Sequence, residues 1–151
     1  MTDAVATAVT GIIMATATVN TPNVLLAKIV GAVLVLVGIL GFLPQFNPTL
    51  IIFGVNVLHN IVHLATGAIL LAAGFIDGGT YARVTNQILG VVYLLVAILG
   101  FAGILVPTLL NTTADAIPHA DNLLHTLLGV ALAGVGFGVR EPSGRGAMRT
   151  V

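Results

Sequence analysis

The polar chemistry of this chain gathers in two short stretches, VLHNIVHLATG over residues 57–67 and HADNLLHTLLG over residues 119–129. His59 and His63 stand four apart, and so do Asp121 and His125. On a helix that spacing puts both side chains on one face, one turn apart. Three uses fit these residue types. His59, His63 and His125 with Asp121 could give three nitrogens and an oxygen to a divalent metal such as zinc or copper. His63 and His125, on two facing helices, could be the axial pair of one b-type haem, since histidine is a common axial ligand. Gly67 and Gly129, one turn further on, would then leave room for the macrocycle. The plainest use is as polar glue, with Asn60 and Asn122 tying two helices together and the histidines bridging to carbonyls or to Asp121.

Covalent catalysis finds no support. Asp121 with His125 is a dyad without a nucleophile, there is no cysteine, and Ser143 lies in the far C-terminal tail.

The elements that must position these residues are membrane spans. The chain of 151 residues is 58% hydrophobic and only 7% charged, with a mean hydropathy of +1.13. A soluble domain carries about 25% charged residues to solvate its surface. Five basic and five acidic residues form no basic stripe for nucleic acid. Crossing about 30 Å of hydrocarbon takes about 20 helical residues, and four runs qualify: about 22–43, 48–76, 84–106 and 118–139. Thr21-Pro22 reads as an N-cap followed by proline at the first helical position. Residues 1–21 carry Asp3 in place of a basic start and read as an interfacial or loosely ordered segment, and residues 140–151 as a cytoplasmic tail.

Lys28, Arg83, Arg140, Arg145 and Arg149 all fall toward one side of such a bundle. The positive-inside rule makes that side, and both termini, cytoplasmic. His63 is 14 residues from Asp77 and His125 is 15 from Arg140, which places both about 21–22 Å above the inner boundary.

The chain repeats itself. GAVLVLVGILGF (31–42) matches GVVYLLVAILGF (90–101), and HNIVHLATGAILLAAGF (59–75) matches DNLLHTLLGVALAGVGF (121–137). Asn60, His63, Gly67, Leu70 and Gly74 pair with Asn122, His125, Gly129, Leu132 and Gly136. They step by three and four residues, so each set is one stripe for helix packing. Gly31, Gly38 and Gly41, with Gly90, Ala97 and Gly100, form a second small-residue face. The expected fold is an all-α, four-helix transmembrane bundle built from two parallel helical-hairpin repeats.

The elements Leu58 to Leu64 and Ala120 to His125 also resemble a known family. It comprises four-span bacterial membrane proteins catalogued only as a domain of unknown function, with a Leu-His-Asn-x-Val-His-Leu element in the second helix and Ala-Asp-Asn-x-Leu-His opening the fourth. The resemblance covers roughly residues 24–138. It implies a plasma-membrane protein, singles out His59, Asn60, His63, Asp121, Asn122 and His125, and implies no activity. His119 stands where the family pattern has threonine.

Taken together, the sequence reads as a small non-enzymatic subunit that needs no cofactor. Its small-residue faces would pack in the bilayer against copies of itself or against a larger membrane complex. A haem- or metal-binding redox protein is the alternative.

Overall fold

The first long helix starts where its cap dictates. The Thr21 hydroxyl accepts the backbone N–H of Val24 and Pro22 takes the first helical position, so α1 runs Pro22–Leu40 and closes at Gly41. The computed structural model describes residues 5–6, 21–104 and 112–139. Three more long helices follow: α2 Val57–Phe75, α3 Ala82–Phe101 and α4 Ala120–Gly138. Each is long and apolar enough to cross a membrane, and 19 residues rise about 28 Å. The protein is an essentially all-α membrane protein with four candidate spans among the described residues. The expected N-terminal segment and C-terminal tail lie outside the described residues, apart from residues 5, 6 and 21.

The second span begins nine residues later than its apolar run suggested. Residues 48–56 form no helix. Instead, β1 (Thr49–Leu50) and β2 (Phe53–Gly54) pair antiparallel, Thr49 opposite Gly54 and Leu50 opposite Phe53. A short β-branched and aromatic run reads as strand or helix alike from its apolar character. Asn56 decides the boundary, since its side chain accepts the His59 N–H at 2.9 Å and caps α2. The third span likewise stops at Phe101, and Gly103 then turns the chain at φ 73°. At the opposite end of the bundle, α2 and α3 are joined through Asp77, Gly78 and Gly79, all at positive φ.

The bundle is apolar outside and mixes polar and apolar side chains inside. Leu25, Ile29, Val33 and Leu36 line the outer face of α1 and are at least half exposed, ready for lipid. The buried polar side chains among the described residues are Asn23, His59, Asn60, His63, Asn86, Asp121, Asn122 and His125. Val24, Ala27, Val30, Leu34, Leu70, Leu89, Tyr93 and Leu132 form the apolar core between them.

Packing is closest within the pairs α1–α2 and α3–α4. The glycines explain why. A Cβ at Gly31 would stand 2.9 Å from the Gly67 carbonyl oxygen and the Leu71 nitrogen, and one at Gly67 would stand 2.8 Å from the Val35 nitrogen. In the second pair a Cβ at Gly90 would overlap the Ala133 nitrogen, and one at Gly129 would stand 2.8 Å from the Leu94 nitrogen. These are the same contacts at matched positions of the repeat. Gly74 on Lys28 and Gly136 on Gln87 continue the match. Both small-residue faces are therefore used inside the bundle, each hairpin consuming its own glycines.

At the end of the bundle that holds Lys28 and Arg83, polar side chains tie α1 to α3 and brace each hairpin within itself. Asn86 on α3 donates to the backbone and side-chain oxygens of Asn23 on α1, at 3.0 and 3.1 Å. Arg83 and Gln87 both donate to the Gly136 carbonyl near the end of α4. Lys28 sits over the ring of Phe75, 4.5 Å from its centre. Bonds of this kind average about 0.6 kcal/mol in membrane proteins. Asn86→Leu, which removes two, should lower unfolding stability by about 1 kcal/mol, measured as a shift in the denaturant midpoint in detergent. An unchanged midpoint would show that the Asn pair holds nothing.

Candidate metal centre

α2 presents His59 and His63 one turn apart, their ring centres 4.4 Å from each other in an edge-on arrangement. α4 brings in His125, with ring centres 5.7 Å from His59 and 6.2 Å from His63. One nitrogen from each of the three rings lies within 4.8 Å of the others. Nitrogens held at about 2.0–2.1 Å from one tetrahedral ion stand about 3.4 Å apart, so binding would draw the three rings together by about an ångström or more. All three histidines are at least 96% buried.

The hydrogen bonding around the rings is asymmetric. His59 Nδ1 lies 3.2 Å from the Gly54 carbonyl oxygen. A carbonyl can only accept, so Nδ1 carries the proton and Nε2 keeps its lone pair. Metal-binding histidines are commonly oriented by such a bond from the nitrogen facing away from the metal. His59 Nε2, together with Nδ1 and Nε2 of His63, has no hydrogen-bond partner among the described residues. Asp121 lies beside them, its Oδ2 3.9 Å from His59 Nδ1 and without a hydrogen bond.

A cap of short segments fixes this arrangement. Asp115, in the loop before α4, accepts the Gly54 N–H at 2.7 Å with one oxygen and the Asp121 N–H at 3.3 Å with the other. It thereby holds both the carbonyl that orients His59 and the start of the helix that carries His125. Thr49 donates to the Ala114 carbonyl, and Ala116 donates to that of Ile52. On the other side, the Tyr93 ring stacks on His125 with centres 5.6 Å apart. The Tyr93 hydroxyl meets the Thr66 hydroxyl at 3.0 Å.

The sequence-predicted residues separate in space. His59, His63, Asp121 and His125 come together. Asn60 and Asn122 do not tie the hairpins to each other as expected. Asn60 is wedged against Gly41 within the first hairpin, and the Asn122 amide lies 3.4 Å from His119 Nδ1. Asn60 faces its own hairpin because the glycine stripe does. His119 is exposed at φ 62°, its ring against Phe101, and stays out of the cluster. Asp115, Gly54 and Tyr93 carried no signal beyond their types, a lone loop carboxylate, a loop glycine and one of two tyrosines.

The expected room for a haem is absent. The space beside Gly67 and Gly129 is filled by Val35 and Leu94. The cavities flanking the histidines measure about 40 and 70 Å³, far smaller than a porphyrin. These residues do not fit that group.

Residues 24–138 match the family described as a domain of unknown function (DUF4383). The chain belongs to the DUF4383 family. No curated protein and no solved structure matches it. The matched region of this DUF4383 member holds all four long helices except the first two residues of α1, along with the three histidines and Asp115.

Proposed function

We propose that this protein binds one first-row transition-metal ion through His59, His63 and His125, with the Asp121 carboxyl beside them. The observation that carries this reading is His63, buried yet with neither ring nitrogen hydrogen-bonded among the described residues. Glue between helices must make hydrogen bonds, and the His63 ring makes none among the described residues. A buried polar group left without a partner costs about 1–3 kcal/mol, and a metal ion would relieve that cost at one of the two ring nitrogens. Imidazole nitrogens suit zinc, copper, nickel or iron and disfavour calcium and magnesium. Three histidine ligands leave a coordination position open.

The bundle sits in the plasma membrane with both termini cytoplasmic on this reading, because Lys28, Arg83 and the three C-terminal arginines share a side. The centre then lies in the outer half of the bilayer. Packing as an accessory subunit has less support, since the glycine faces it relied on are occupied within the hairpins. No reaction is assigned to the site, and no residue a catalytic role.

The test is elemental analysis of protein purified from membranes in mild detergent. One ion per chain, lost when the protein is unfolded with chelator and regained on refolding with the metal, is expected. Metal at 100 times its dissociation constant should also raise folding stability by about 2.7 kcal/mol. Protein that neither retains an ion nor gains stability from zinc, copper, nickel or iron would overturn the reading.

A further inference from the structure

The surroundings of the histidines say what could reach a metal there. A chamber of about 70 Å³ borders His59, His63 and Asp121, and its other walls include Val37, Leu50, Phe53, Val55 and Leu124. A wider groove of about 290 Å³ opens beside it, lined by Ile52, Ile117, Leu123 and Leu127. Phe53 and Leu124 belong to both. Leu123 and Leu127 are 58% and 67% exposed on the outer surface of α4, the surface a bilayer covers. On this side of the cluster Phe53 and Leu124 stand between the groove and the chamber beside His59 and His63.

Hydrogen bonds brace the segment that supplies the chamber walls Leu50 and Phe53. Thr49 to Ala114, Ala116 to Ile52 and Gly54 to Asp115 stitch the β1–β2 hairpin to the loop before α4.

Resting on the metal reading above, we infer that the open coordination position is reached sideways from the bilayer, past Phe53 and Leu124, and takes a small uncharged ligand. Size sets one limit. A water molecule needs about 10–15 Å³ of such space, so the chamber takes a few water-sized groups and favours small ligands over large organic substrates. Polarity sets the other. An ion would have to shed its hydration against valine, leucine and phenylalanine side chains, which is prohibitive without a partner. Diatomic gases dissolve readily in hydrocarbon and meet neither barrier.

Carbon monoxide on the copper(I)-loaded protein is the probe. The expected result is one infrared band of bound carbon monoxide per copper, with rebinding after flash photolysis that depends on the wall. Leu124→Ala should speed rebinding about tenfold and Phe53→Trp should slow it about tenfold, with copper content unchanged. The two variants change opposite sides of the wall, so either one alone reads the route. Copper without a carbon monoxide band overturns this inference and leaves the metal reading standing. Failure to hold copper, or any of the other metals, overturns both. Rates that ignore the wall variants but respond to Thr49→Ala would place access on the aqueous side and also overturn it.

Discussion

Gly90→Ala should disrupt the second hairpin, whereas Gly134→Ala in the same hairpin should leave it intact. A methyl at residue 90 would overlap the backbone nitrogen of Ala133, and its next neighbours are the Cα and Cβ of the same residue. None of these is the end of a flexible side chain that could swing away. Relief requires α3 and α4 to separate, which also loosens Gly129 on Leu94 and Gly136 on Gln87. Overpacking a close-fitted site costs about 1–3 kcal/mol and occasionally more, and a backbone obstacle puts this change at the upper end. Gly134 has nothing within 4 Å of the added carbon. There alanine should be neutral or stabilising by up to about 1 kcal/mol through helix propensity. Gly31→Ala, with its nearest atoms at 2.9 Å, should fall between the two. Denaturation in detergent monitored by circular dichroism measures all three, and equal stability for Gly90→Ala and Gly134→Ala would refute the account of the interface.

That comparison also shows what the sequence could and could not reveal. The four spans were legible because long apolar runs have no other stable home. The histidines were legible because they intrude on such runs. A glycine stripe announces a close approach but does not name the helix that approaches. The stripes therefore read equally well as subunit interfaces, until Gly31 is seen against Gly67 and Gly90 against Ala133. The start of α2 was misplaced because Ile51, Ile52 and Phe53 suit a strand as well as a helix. Asp115 was invisible for a different reason. Its partners Gly54 and Asp121 are 61 and 6 residues away, and only the fold brings the first of them near. The Asn23–Asn86 pair, 63 residues apart, was hidden in the same way.

His63→Leu should abolish metal binding and at the same time stabilise the metal-free protein. The two effects have opposite signs, which makes the variant decisive. In the metal-free state the His63 ring is buried and neither of its nitrogens has a hydrogen-bond partner among the described residues. Removing a polar group that makes no bond relieves about 1–3 kcal/mol of desolvation, and leucine fills a similar volume. A histidine acting as glue gives the reverse sign, because its loss would break a bond worth about 0.6 kcal/mol. With metal present, the variant loses one of only three nitrogen ligands and should no longer retain an ion through purification. Asp115→Asn is graded in between. It keeps an oxygen that can accept from Gly54, but it weakens the charged bond that fixes the Gly54 carbonyl against His59. Changes to such supporting partners typically reduce metal affinity 10–100-fold. Competition against a chelator of known affinity, run beside thermal melts of the metal-free forms, separates the cases. If His63→Leu lowered the metal-free melting temperature and Asp115→Asn left affinity untouched, the histidines would be structural. An asymmetric support built through Gly54 and Asp115 for a ring that binds nothing would then need another explanation, because glue requires no control over which nitrogen is free.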